Sequence, residues 1–160
     1  MSNQTVTFRL ESDADTDRLG AWLAPRLGPG DCLLLSGPIG AGKSHLARAV
    51  IRARLGRMED VPSPTFTLVQ TYQADDVEIW HADLYRLTHP DDALELGLED
   101  AFASAICLIE WPDRLGHRAP PDAIRVSLRD DDDDGRHVTF DCAGHADLAR
   151  NLRRDWVADD

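Results

Sequence analysis

Between residues 32 and 55 the chain reads as a short apolar run, a glycine-rich loop and a helix, in that order. Residues 32–35 are Cys-Leu-Leu-Leu, apolar without alternation and bounded by glycine signals, the pattern of a strand buried on both faces. The loop follows directly as Gly37-Pro38-Ile39-Gly40-Ala41-Gly42-Lys43-Ser44, which is G-x-x-x-x-G-K-S. Leu46, Val50, Ile51 and Leu55 then recur at helical spacing until Gly56 stops the run. A strand of this kind has to sit inside a sheet with helices on each side. Strand, glycine-rich loop and helix together are the setting in which a loop's backbone N–H groups wrap a phosphate.

Lys43 sharpens that reading. The chain has 17 basic residues and Lys43 is its only lysine; every other is arginine. A compact ammonium on a flexible stem can curl over the loop towards β- and γ-phosphates, which the planar guanidinium fork does not do. A chance match to this pattern in a chain of this length is on the order of one per cent. The helix N-terminus adds its positive dipole end. Gly37, Gly40, Ala41, Gly42, Lys43, Ser44 and His45 are therefore the candidate nucleotide contacts, with the Ser44 hydroxyl the first candidate ligand for Mg2+.

A length of 160 residues predicts one domain spanning 1–160. The formal net charge of −12 excludes a free-standing nucleic-acid binder, which needs a basic patch. Arg48, Arg52, Arg54 and Arg57 cluster locally and read as a solvated helix face. The apolar runs are too short for a bilayer, and the chain opens without a signal-peptide pattern. Cys32, Cys107 and Cys142 read as buried reduced thiols, which favours a cytoplasmic setting.

The remaining elements follow from periodicity. Thr5–Leu10 alternates as a strand, and Ser12 with Asp15 forms a helix start. The helix buries Leu19, Trp22, Leu23 and Leu27 and ends at Gly28-Pro29-Gly30. Residues 65–72 and 77–82 predict an antiparallel hairpin. Pro90 opens a short helix ending at Gly97, and residues 105–109 predict a second buried strand. Ile124, Val126 and Leu128, then Val138 and Phe140, alternate on either side of a polar tip of five aspartates and Gly135. Leu148, Leu152 and Trp156 share a helical face.

Hydrolysis or transfer needs a second metal ligand beside the Ser44 hydroxyl, a carboxylate at the end of a neighbouring buried strand. Glu110 closes Cys107-Leu108-Ile109, an apolar strand ending in an acid, where aspartate is the more usual residue. Asp83 ends a second strand, with His81 on the same face of it. Either acid is placed to ligate Mg2+ while the other positions the attacking water. His81 reads first as a packing or hydrogen-bonding residue, Arg86 as an acid's partner, and Trp111 as core. Ser63-Pro64-Thr65-Phe66-Thr67 has the makings of a switch that presents a threonine hydroxyl to a γ-phosphate.

Taken in order, these segments resemble the TsaE family, also called YjeE. The resemblance is carried by residues 36–44, by Ser63-Pro64-Thr65-Phe66-Thr67-Leu68-Val69, and by His81-Ala82-Asp83-Leu84-Tyr85-Arg86-Leu87. It continues through Glu95-Leu96-Gly97-Leu98-Glu99-Asp100 and Leu108-Ile109-Glu110-Trp111-Pro112-Asp113-Arg114-Leu115. The loop alone is shared by a large superfamily; the ordered set is specific.

The resemblance implies a bacterial ATPase that acts with the TsaB and TsaD proteins in the threonylcarbamoyl modification of adenosine in tRNA. ATP and Mg2+ would be its cofactors, tRNA would be met only through the complex, and no membrane is involved. It implies that Lys43 holds the phosphates, Ser44 and Glu110 serve the metal, Thr65 senses the γ-phosphate and Asp83 assists hydrolysis. It further implies adenine contacts near Asp13 and Thr16, and near Gly135 and Arg136. Ala82 replaces the family's bulky aromatic, and Ser44 its commoner threonine. The expected fold is α/β: a three-layer P-loop arrangement with a central mixed sheet flanked by helices. A small-molecule kinase and a non-catalytic nucleotide-sensing adaptor are the rival readings. The kinase reading lacks a lid: Arg114 and Arg118 are on offer, but Gly116-His117 and Pro120-Pro121 make residues 114–121 read as a short loop.

Overall fold

The computed structural model describes residues 4–38, 42–56, 69–74, 77–130 and 135–157. Seven strands form one mixed sheet in the order β1-β7-β6-β2-β5-β4-β3. They are β1 (Thr5–Leu10), β2 (Cys32–Ser36), β3 (Val69–Gln73), β4 (Glu78–Asp83), β5 (Ile106–Glu110), β6 (Ile124–Asp130) and β7 (Arg136–Asp141). The centre is parallel: β2 lies between β5 and β6, and β4 runs beside β5. Both edges are antiparallel, through the β1–β7, β6–β7 and β3–β4 pairs. The helices are α1 (Asp13–Leu23), α2 (Lys43–Leu55), α3 (Asp92–Glu95), α4 (Leu98–Ser104) and α5 (Ala146–Trp156). Mixed sheet and flanking helices are as the sequence predicts.

Alternation along the central strands builds two cores. Leu33, Leu35, Ile79, Ile106 and Leu108 face one way, onto Leu19 and Leu23 of α1, Leu46 and Val50 of α2, and Leu152 of α5. Cys32, Leu34, Ala82, Cys107 and Ile109 face the other way, onto Leu98, Ala101 and Leu115. The period of two then fixes the strand ends. Glu110 continues the Ile106–Leu108 row, and His81 and Asp83 continue from Ile79, so all three point to the α2 side. The register sets Asp83 directly beside Glu110, and His81 beside Leu108.

The α1–α2 contact depends on one glycine. A Cβ on Gly20 would stand 2.4 Å from the Ala49 Cβ, so no larger residue permits this approach. At the far edge Phe8, Phe140, Trp22 and Trp156 form a connected aromatic cluster, with Phe8–Phe140 and Phe8–Trp156 stacked at 5.9 and 5.4 Å. The three cysteines are free and buried, and burial pushes the Cys107 thiol up to about 12 and Cys142 to about 11. No helix among the described residues is long and apolar enough to cross a membrane.

The structure corrects several expectations. The first α-helix ends at Leu23 and continues as a 3-10 turn, Ala24–Arg26, so Leu27 is buried from an extended segment. Pro25 is the reason: it has no N–H to donate back into an α-helix. Arg54 is not simply a solvated cation. Its guanidinium donates to the Ala24 and Leu27 carbonyls, both at 2.7 Å, and ties α2 to the end of α1. Helix α4 has no counterpart in the sequence reading, since seven residues are too few to display a period. Residues Pro112–Arg118 are 3-10 turns rather than loop. Arg57, the first part of the 65–72 strand and most of the aspartate tip lie outside the described residues.

Candidate functional site

The site assembles where the parallel strands end. Gly42 is the residue before α2, in a left-handed conformation at φ 101°, and the Gly42 carbonyl accepts from the Leu46 amide at 2.9 Å. Lys43 is therefore the first residue of the helix and Ser44 the second. Ser44 Oγ lies 2.8 Å from both Glu110 carboxylate oxygens. This joins the loop–helix unit to the end of β5. His81 Nε2 lies 2.6 Å from Glu110 Oε2, and both side chains are almost completely enclosed. Glu110 is thus a buried carboxyl group with hydrogen-bond partners on two elements, as a buried polar group requires.

Lys43 is buried as well, at 5 % exposure. Its ammonium donates to the Gly37 carbonyl and stands 3.5 Å from the centre of the Trp111 ring. Burial lowers the Lys43 pKa, against the opposing pull of Glu110, Asp83 and Asp113. Asp83 has the reverse problem. Burial raises its pKa, the Tyr85 amide it accepts from at 3.1 Å pulls it down, and the Glu110 charge adds to the rise. Two carboxylates on adjacent strands thus sit in different settings: one enclosed and hydrogen-bonded, the other half-buried with raised proton affinity.

Trp111 is both core and site. It packs against the second core and lies over Lys43. It is the one non-glycine residue with positive φ among the described residues, at 58°. The left-handed conformation costs on the order of 1–2 kcal/mol, and such strain concentrates where geometry serves a site. The Tyr85 ring lies tilted against it, with centroids 4.9 Å apart, and Arg114 lies over the Tyr85 ring. Lys43, Ser44, Asp83, Tyr85, Glu110 and Trp111 line a cleft of about 380 Å³, with Gly42, His45 and Arg48 completing the wall.

A second group of predicted residues meets on the other side of Gly42. Arg136, opening β7 next to Gly135, donates from Nη1 to Asp13 Oδ1 at 2.7 Å. The same guanidinium lies against Gly42, where an added Cβ would be 3.0 Å from Arg136 Nε. The Arg136 hydrogen bond holds the Asp13 carboxyl below the usual aspartate range. Thr16 is fully buried, and its hydroxyl meets no partner among the described residues. His45 lies 2.7 Å from Asp17 Oδ1. The sequence reading missed Asp17, although its place one helical turn after Asp13 is a readable signal. Thr65, Gly40 and Ala41 lie outside the described residues. Arg86 is exposed on the turn after β4.

Hydroxyl and carboxylate oxygens are the hard donors Mg2+ prefers, and Ser44, Glu110 and Asp83 supply them within one cleft. No group of three His, Cys, Asp or Glu side chains able to hold a metal occurs among the described residues.

Comparison with known proteins shows the family of the chain. The family model described as "Threonylcarbamoyl adenosine biosynthesis protein TsaE" matches residues 10–138. The tRNA threonylcarbamoyladenosine biosynthesis protein TsaE of Rickettsia conorii is 42% identical over 119 residues, covering 74% of this chain and 68% of the relative. Its namesake in Rickettsia bellii is 38% identical over 136 residues, covering 85% and 92%. The one in Bacillus subtilis is 30% identical over 141 residues, covering 88% and 87%. Among solved structures, the crystal structure of Bacillus subtilis YdiB superposes with a TM-score of 0.77 at 25% identity, covering 94% of this chain and 95% of that one. The chain belongs to the TsaE family.

Proposed function

We propose that this chain binds ATP with Mg2+ at residues 37–44, hydrolyses it slowly, and by that cycle resets a complex with TsaB and TsaD that makes threonylcarbamoyladenosine in tRNA. The observation that carries the reading is the Ser44–Glu110 contact at 2.8 Å, set beside the buried Lys43. A hydroxyl and a carboxylate from two different elements converge beside a lysine, as phosphoryl transfer requires.

In this reading Lys43 exchanges the Gly37 carbonyl for phosphate oxygens. Ser44 and Glu110 hold the Mg2+, which supplies neutralising charge to the phosphates when bound. Asp83, with its proton affinity raised, orients the attacking water and accepts its proton. Asp13, Thr16, Gly135 and Arg136 flank the adenine end, and Thr65 senses the γ-phosphate. The net charge of −12 fits a protein that meets tRNA through basic partners rather than directly. The kinase alternative gains no support from Arg118, which is committed to Asp91 and Glu99 instead of standing free over the cleft.

Reconstitution tests the proposal. Chain, TsaB, TsaD, threonylcarbamoyl-AMP and tRNA are mixed, and multiple-turnover modification is measured for wild type and Lys43→Ala. The proposal expects turnover with wild type and a single round or none with the variant. Equal yields refute it.

A further inference from the structure

His81 is an imidazole deep in the protein, at the end of a parallel strand, that the proposed chemistry does not use. Its ring is fully buried, and Glu110 beside it is 2 % exposed. Nε2 is 2.6 Å from Glu110 Oε2, while Nδ1 meets no hydrogen-bond partner among the described residues. The cheapest tautomer follows. A proton on Nδ1 would strand a buried donor, whereas a proton on Nε2 donates to the carboxylate and leaves only an unfilled acceptor. The backbone fixes this pairing: β4 and β5 are parallel neighbours, and Leu84 N donates to the Glu110 carbonyl at 3.1 Å just beyond.

The two carboxylate oxygens are therefore unlike. Oε1 receives the Ser44 hydroxyl alone, and Oε2 receives both Ser44 and His81. The Ser44 hydroxyl has a second use in the site. The imidazole N–H has none, and its ring is closed off from bulk solvent. Ligating carboxylates are commonly oriented by such outer partners, and loss of the partner typically costs 10–100-fold in metal affinity.

We propose that His81 is a positioning residue: its Nε2–H locks the Glu110 carboxylate in the rotamer that leaves Oε1 beside Ser44 to meet the divalent cation. This rests on the reading of Ser44 and Glu110 as metal-holding residues. A histidine that only fills core space would make a different demand, shape without a donor at a set point.

The test is the tightening of a non-hydrolysable ATP analogue by Mg2+, taken as the ratio of its dissociation constants in EDTA and in Mg2+ for the full chain. His81→Leu is expected to cut that ratio about tenfold or more while leaving the EDTA value within about twofold. His81→Gln, whose amide N–H reaches the Nε2 position, restores the ratio; His81→Asn, whose amide stops at the Nδ1 position, does not. Should His81→Leu fail to fold, the contrast between Gln and Asn decides alone. Ser44→Ala and Glu110→Gln are run in parallel. If they collapse the ratio and the His81 variants leave it at the wild-type value, the inference is overturned and the site reading stands. If Ser44→Ala and Glu110→Gln also leave it unchanged, both are overturned.

Discussion

The two wings of the sheet are built on opposite terms. Around β1, β7 and β6 the interior is apolar and aromatic, with Phe140, Phe8, Trp156 and Trp22 in contact one after the next. Around β2, β5 and β4 the strands are as deeply buried, but His81 and Glu110 near their ends, and Lys43 at the start of α2, are nearly closed off from water. The first wing gains stability from every side chain it buries. The second encloses charges whose desolvation their mutual attraction does little more than offset. Such a cluster is a poor source of stability, and the aromatic packing of the first wing helps to offset it.

The sharpest way to break this contrast is Phe140→Ala. Removing a fully buried aromatic at the junction of β1, β7 and α5 should cost about 3–5 kcal/mol in urea unfolding. Nucleotide affinity per folded molecule should stay at the wild-type value; a parallel loss would mean the wings are not separable. Lys43→Ala is the converse. Its effect on ATP turnover should be about 10²–10³-fold, comparable to losing one preorganised charge-stabilising donor, with a small change in the unfolding midpoint.

Gly20→Ala probes the helix contact behind the site. Its Cβ would meet Ala49 at 2.4 Å, so α1 must shift from α2, at about 1–3 kcal/mol. Because α1 carries Asp13 and Asp17, nucleotide affinity should weaken along with stability, which neither wing variant does alone. The smallest effect belongs to Asp13→Asn. The exposed ion pair with Arg136 is worth below about 1 kcal/mol after solvent screening. Arg136 depresses the Asp13 pKa, so the pair stabilises the fold above the usual aspartate value of 3.8 and its contribution fades as pH falls further. Thermal melts of wild type and Asp13→Asn should differ at neutral pH and converge in acid. A constant gap across that range would mean the pair is not the cause.

Much of the parallel wing was legible without coordinates. Residues 32–35, the loop and α2 announce themselves because burial on both faces, glycine spacing and helical periodicity are all local signals. The aromatic wing was legible only in part: β6 and β7 alternate clearly, but nothing local says that Phe8 stacks on Trp156. Helix α4 was not read at all, because seven residues packed by tertiary contact need no period of their own. The site followed the same rule. Ser44 and Glu110 were each identifiable by position relative to a motif, whereas the double role of Trp111 depends on a backbone conformation that side-chain pattern does not encode.

The sequence by itself settled the chemical inventory: one lysine in a glycine-rich G-x-x-x-x-G-K-S segment, a hydroxyl after it, and acids at the ends of two buried strands. Tertiary structure decided which of these meet. Strand β5 lies between β2 and β4, and that order sets Glu110 against Ser44 on one side and His81 on the other. The antiparallel return of β7 brings Arg136 to Asp13, 123 residues away in the chain. Periodicity reports how a segment divides water from core. It carries no information on which segments become neighbours, and the buried hydrogen bonds of this site belong to the neighbours.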